Sequence, residues 1–262
     1  MDKILQETYL RNPITVKRTH GFEIYLNPKD MGISPSIGVL GWYELRTTEL
    51  FIEVLRKGFT VVDVGANIGF FTLLAANIVG EEGTVLSFEP EPANFSFLSR
   101  SVQRNNFSNV RVYQKCVSDV DGQRMLYLSG TSNKGTHSIV RESGGTSITV
   151  PSTRLDTETS NIGVGRIDLL KVDVEGAEPE VLSGALRLLS EDRITNMILE
   201  WDRPETWSQH QGLVKRLLSS FNVYEMPRSL PFLPLRKIKE NTPANSLFRN
   251  PFGTNLYLRL RN

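Results

Sequence analysis

The segment Thr60-Val-Val-Asp63-Val-Gly65-Ala-Asn67-Ile-Gly69-Phe-Phe-Thr72 constrains the fold more than any other part of the chain. β-Branched residues run into an acid, small residues make a turn, and an apolar helical pattern follows. This is the strand–turn–helix entry of a doubly wound α/β domain, in which ligands bind outside the carboxyl ends of the strands. A phosphate-cradling loop would need a Lys-Ser/Thr pair after its glycines, and phenylalanines follow Gly69 instead. A dinucleotide loop would need Gly-x-Gly-x-x-Gly, whereas this turn has Gly65-x-x-x-Gly69 with Asn67 in the middle. Asp63 precedes the turn, where a ligand ammonium is better placed than a pyrophosphate. A ligand with an amino-acid tail fits these residues.

Alternating units continue the pattern. Strands are expected at about 60–64, 84–88, 110–117, 167–172 and 197–200, with helices at about 69–79, 91–105, after 173 to 189, and 207–219. Residues 1–58 read as an N-terminal extension, with a strand at Phe22–Leu26 and a helix from Thr47 to Lys57 that Gly58 closes. Residues 59–262 read as one domain. Within it, 120–153 carries Asp121-Gly122, Gly130, Gly135 and Gly144-Gly145 between short β-like runs, which predicts an inserted β-hairpin. Strands at 221–226 and 255–260 flank a stretch with Pro227, Pro231, Pro234, Pro243 and Pro251, read as an irregular loop. Strands alternating with helices predict a mostly parallel sheet covered by helices.

Acids follow the expected strand ends: Asp63, Glu89, Asp119 and Asp173, with Glu200 closing the fifth strand. In a parallel sheet these ends share one edge, so the acids are expected to line one crevice. Asp119 and Asp173 also fit helix N-caps. Glu89 fits an acid that accepts hydrogen bonds from ribose hydroxyls. Asn67 is tolerable where a glycine would otherwise stand, because Asn visits the left-handed region readily.

Together the motifs resemble the FkbM family of class I methyltransferases. They are Asp63-x-Gly65-Ala66-Asn67-x-Gly69, Phe88-Glu89-Pro90-Glu91-Pro92-x-Asn94, Val117-Ser118-Asp119 and Lys171-Val172-Asp173-Val174-Glu175-Gly176-Ala177-Glu178. The resemblance runs from about Gly21 to Asp202. It implies a Rossmann-like sheet of seven strands, mostly parallel with a last antiparallel strand. It also implies S-adenosylmethionine as cofactor, a ligand that carries the expected amino-acid tail, and methylation of a hydroxyl on a sugar, glycan or secondary metabolite. Asp63, Gly65, Asn67, Gly69 and Glu89 then hold the cofactor, and Ser118 and Asp119 lie at the adenine amine. Glu44, in Gly41-Trp-Tyr43-Glu44, stands in a segment resembling one that precedes the family's cofactor loop, where it walls the methionine part or forms an ordinary packing turn.

Asp173 and Glu175 are the candidate catalytic residues. Either a carboxylate takes the proton of the acceptor hydroxyl, or Asp173 and Glu200 hold a divalent cation that acidifies it. Metal-dependent relatives of this fold place Asp-Asn on the fifth strand, and Glu200-Trp201-Asp202 departs from that. His20, His137 and His210 are scattered without metal-ligand spacing, His137 standing in the glycine-rich insertion. Cys116 reads as a small buried hydrophobe.

A net charge of +1, from 30 basic and 29 acidic residues, provides no global field for nucleic acid or anionic membrane. Arg228, Arg236, Lys237, Lys239 and Arg249 in the Pro-rich stretch read as solvated charges or as a grip on an anionic acceptor. No signal peptide is read at the N-terminus. The window from Val61 to Val79, interrupted by Asp63, Asn67 and Asn77, is not a membrane span. A single cysteine suits a reducing cytosol, and a cytoplasmic location is expected.

Overall fold

A computed structural model describes residues 2–11, 15–129, 137–140, 146–201, 204–227, 235–238 and 254–261. The first layer comprises helix α1 (Asp2–Arg11), hairpin β1 (Val16–Thr19) and β2 (Phe22–Tyr25), and helices α2 (Ser34–Leu40) and α3 (Leu45–Val54). Next come β3 (Thr60–Val64), α4 (Phe70–Val79), β4 (Thr84–Phe88), α5 (Pro92–Arg104) and β5 (Val110–Tyr113). The chain then makes β6 (Cys116–Val117), β7 (Gly122–Tyr127), β8 (Ser147–Thr153) and α6 (Leu155–Asn161). It continues through β9 (Leu169–Val172), α7 (Glu178–Ser183), α8 (Leu186–Ser190), β10 (Asn196–Glu200) and α9 (Gln211–Ser220). It closes with β11 (Phe221–Pro227), β12 (Arg236–Lys237) and β13 (Thr254–Leu260).

The main sheet has the order β12-β11-β13-β10-β9-β3-β4-β5. Strands β3, β4, β5, β9 and β10 pair in parallel, and β13 is antiparallel to both β10 and β11. The expected seven strands with a last antiparallel one are therefore present, and the two-residue β12 extends the edge. Strands covered on both faces read as continuous apolar runs. Alternation divides them: Val62, Val64, Leu170 and Val172 enter one buried cluster, Val61 and Leu169 the other.

That second cluster joins the first layer to the sheet. Phe22, Ile24, Leu26, Ile37, Leu50 and Phe51 pack with Leu73, Leu74, Ala75 and Val79 of α4. Helix α4 lies between sheet and first layer, which is why it is apolar all round. Burying each of its large side chains contributes roughly 1.5–3 kcal/mol.

Two expectations are corrected. Val110–Val117 is not one strand: the chain leaves the main sheet after Tyr113, and Cys116–Val117 pairs in parallel with Ser152–Thr153 in a separate three-stranded sheet, β6-β8-β7. The helix after Asp173 is broken at Gly184, whose missing Cβ would stand 2.0 Å from the Ser118 carbonyl oxygen. α1 and α2 were not anticipated. The expected insertion hairpin is present as β7 paired with β8. Residues Gly130, Gly135, Gly144, Gly145, Asp202, Arg228, Pro231, Pro234, Lys239, Pro243, Arg249 and Pro251 lie outside the described residues.

Candidate active site

A period of two places Asp63, Lys171 and Glu200 on the sheet face covered by α3 and α4. Asp63 registers with Lys171, and Glu200 with Asn255. Lys171 is 3% exposed, with its ammonium 2.9 Å from Asp173 Oδ2, 3.9 Å from Asp63 Oδ1 and 5.1 Å from the Phe71 ring centre. Burial opposes its charge, but Asp173, Asp63 and Glu44 more than offset that, and the ammonium is held protonated. Asp63 is buried and its Oδ2 accepts from Thr72 Oγ1 at 2.7 Å. Glu44, in the left-handed region at the start of α3, accepts from Thr47 Oγ1 and Asn255 Nδ2. Asp63, Asp173 and Glu44 thus converge on one lysine.

Above this row lies a cavity of about 530 Å³, counting its open mouth. Val64, Gly65, Asn67 and Glu89 line it from the β3 and β4 ends, Asp173 and Glu175 from the β9 end, and His137 and Ile139 from the insertion. The turn after β3 is built for this. Gly65 has φ 78°, and a Cβ there would stand 1.9 Å from the Asp173 carbonyl oxygen, so the β3 and β9 turns touch backbone to backbone. Gly65 and Ala66 both donate to the Phe88 carbonyl. Asn67 adopts φ 53°, the left-handed conformation expected of it, and Gly69 caps α4 at φ 97°.

Glu89, 5% exposed, joins the two turns by accepting from Asn67 N at 2.8 Å and Glu91 N at 3.0 Å. Burial pushes its carboxyl from 4.5 up to about 7 despite those two bonds. Glu178 accepts from Val174 N and Gly176 N, and burial pushes it likewise to about 7. It braces the Asp173–Gly176 turn, in which Glu175 takes φ 57° and offers its carbonyl to Ser138 Oγ at 3.0 Å.

Of the expected site residues, Gly65, Asn67, Glu89, Asp173 and Glu175 meet in the cavity lining. Asp63, Gly69, Glu44 and Glu200 lie outside that lining. Ser118 is buried against Ser152 Oγ at 2.8 Å, and Asp119 turns outward to Arg124 at 2.6 Å. Neither lines the cavity, because their side chains are turned to Ser152 and Arg124. Lys115, Cys116 and Val117 stand at the wall instead. Cys116 is buried, as expected. Lys115, Asn94 and His137 also line the cavity without having been among the expected site residues; the Pro90-Glu-Pro-x-Asn94 spacing was the available signal for Asn94, and the glycine-rich insertion for His137.

The pair Asp173 and Glu200 does not suit a divalent cation, since the Lys171 ammonium already holds Asp173. Among the described residues no group of three His, Cys, Asp or Glu side chains is placed to hold a metal ion. No helix among them is long and apolar enough to cross a membrane.

The strand order and the crevice at the strand ends define a class I methyltransferase fold. The same fold is found in the METTL16 methyltransferase domain, which aligns over 100% of this chain and 80% of its own at a TM-score of 0.50 and 12% identity. The chain belongs to the FkbM methyltransferase family: the family model described as "Methyltransferase FkbM domain" matches residues 63–226. Relatives include the 31-O-demethyl-FK506 methyltransferase FkbM of Streptomyces tacrolimicus, 33% identical over 50% of this chain and 60% of its own. The hexuronic acid methyltransferase AglP of Haloferax volcanii is 30% identical over 53% of this chain and 55% of its own. The chain spans 55% to 63% of the length of the curated relatives it matches.

Proposed function

We propose that the chain transfers a methyl group from S-adenosylmethionine to a hydroxyl of a sugar, glycan or secondary metabolite. The observation that carries this reading is Glu89: a buried carboxylate at the β4 end, fixed by the Asn67 and Glu91 amides, in one cavity with Gly65. Such a group suits the paired hydroxyls of a ribose. Family membership supports the transfer, and relatives named for 31-O-demethyl-FK506 and for a hexuronic acid support a hydroxyl on a metabolite or sugar.

In this reading Asn67, Gly65 and Glu89 seat the nucleoside. Asp63 and Gly69 shape the loop, and Ser118 and Asp119 support the adenine wall from behind. Glu44 acts on the donor end through Lys171. The sulfonium is a good leaving group, so the residues chiefly align hydroxyl, methyl and sulfur. Glu175, on its braced turn, holds or deprotonates the hydroxyl, with Asp173 nearer the methyl donor. Residues 1–58 are read as an extension packed on a domain running from 59 to 262. Calorimetry with S-adenosylhomocysteine and with NAD tests the donor, and labelled S-adenosylmethionine with a panel of hydroxylated acceptors tests the transfer. Binding of NAD in place of S-adenosylhomocysteine would restore a dinucleotide reading.

A further inference from the structure

The insertion reaches the turn that carries Glu175 through one buried hydroxyl. Ser138, 3% exposed, donates from Oγ to the Glu175 carbonyl at 3.0 Å. The same Oγ accepts the Val140 backbone N–H at 3.3 Å, so its single proton goes to the carbonyl. On the other side of the turn, Glu178 Oε1 accepts from Gly176 N at 3.2 Å and from Val174 N at 3.1 Å. The Glu175 carbonyl and the Gly176 amide belong to one planar peptide. That peptide is therefore held at both polar ends, by side chains far apart in the sequence. Glu175 has φ 57°, a left-handed conformation that a residue with a Cβ adopts at a cost, and Gly176 follows at 102°. Ser138 is itself fixed, because it exchanges backbone bonds of 2.8 and 3.2 Å with Tyr127. Its neighbours His137 and Ile139 line the cavity, and Ser138 stands behind them.

We propose that Ser138 is a positioning residue, which sets the place of the Glu175 side chain by fixing the Glu175–Gly176 peptide from the insertion. It acts through Glu175 and not on either reactant. The assignment rests on the proposed function, in which Glu175 meets the acceptor hydroxyl.

Two measurements decide it. The pair Glu-Gly occurs only at 82–83 and 175–176. Protein carrying ¹³C-carbonyl glutamate and ¹⁵N-glycine therefore gives one carbonyl–amide correlation for each, which Glu175→Gln tells apart. Ser138→Ala should move the Glu175 carbonyl upfield, as a carbonyl that loses a donor does, and leave the Glu82 carbonyl in place. With labelled S-adenosylmethionine and the panel of hydroxylated acceptors, Ser138→Ala should lower kcat about five- to ten-fold, with S-adenosylhomocysteine affinity unchanged within about two-fold. Ser138→Thr keeps the hydroxyl and should restore both the shift and kcat. In a Glu175→Gln background, Ser138→Ala should lower kcat no further. An unmoved Glu175 carbonyl, an unchanged kcat, or an equal fall in both backgrounds would overturn the positioning role. So would loss of cofactor affinity in place of kcat, or a folded Thr variant that restores nothing. A wild type that methylates no acceptor would strike the proposed function instead, and the carbonyl shift would still decide whether Ser138 holds the peptide.

Discussion

The Lys171 ammonium lies between Asp173, 2.9 Å away just past the end of its own strand, and Asp63, 3.9 Å away on the next. The pair Asp63–Lys171 is buried, so its value lies less in net stability than in the cost of breaking it. Lys171→Met should destabilise the fold by roughly 3–5 kcal/mol, read by denaturant unfolding. The double variant with Asp63→Asn should recover part of that. Because this ammonium already holds Asp173, exhaustive chelation should leave S-adenosylhomocysteine affinity and turnover unchanged. Loss on chelation with rescue by Mg²⁺ would return the cation to the site.

Glu89 carries a pH signature. Its carboxyl rises from 4.5 to about 7 in the folded chain because of burial. Between those values the folded chain holds a proton that the unfolded chain has lost. Its contribution to stability is therefore full below about pH 4.5 and disappears as pH rises through 7. Relative to Glu89→Gln, the unliganded wild type should lose up to about 3 kcal/mol between pH 4.5 and 8. A ribose diol favours the ionised form, so S-adenosylhomocysteine should release a proton on binding below pH 7, visible in calorimetry across buffers. Glu89→Ala should weaken that binding by about 2–4 kcal/mol.

Glu175 is the test of the acceptor side. Glu175→Gln keeps the shape and the backbone carbonyl that Ser138 uses, and removes only the charge. Turnover should fall by roughly two to four orders of magnitude with cofactor affinity nearly unchanged. Collapse of cofactor binding would move Glu175 to the donor side.

Gly65 tests the contact between the two turns. Ala there meets the Asp173 carbonyl at 1.9 Å and a φ of 78°, so Gly65→Ala should cost roughly 3–5 kcal/mol or prevent folding. Gly58→Ala is the control: φ is 79° but nothing lies within 4 Å. Its cost should stay near 1 kcal/mol, the strain alone. Similar melting shifts for both variants would mean that the turns part easily.

Much of this site was legible because its signals are local. A β-branched run, a small-residue turn and an apolar helix lie within Thr60–Thr72, and Glu89 follows the next strand directly. What was missed depends on partners distant in the chain. Val110–Val117 alternates like one strand, and nothing within it reveals that Cys116 leaves to pair with Ser152. Asp119 was consequently expected at the main sheet's edge. Lys171 read as one letter of a motif until the Asp63 register placed it between carboxylates. His137 gains its position from Tyr127, Ser129 and Glu175, none of them in its own run. Helix α2 hides behind Pro35 and Gly38, and Gly38 is required there by Tyr9, whose ring would lie 2.9 Å from a Cβ.

The departure of β6 from the main sheet divides the labour of the molecule. The strands that set Gly65, Glu89 and Asp173 are held by the central sheet, while Cys116 and Leu126 belong to a smaller sheet with its own apolar cluster, against which Ile139 packs. Change in the smaller sheet can reshape the mouth of the cavity without shifting the register of the central strands. Under the proposed function, such an architecture would let one methyl-donor platform serve many acceptors as lineages diverge.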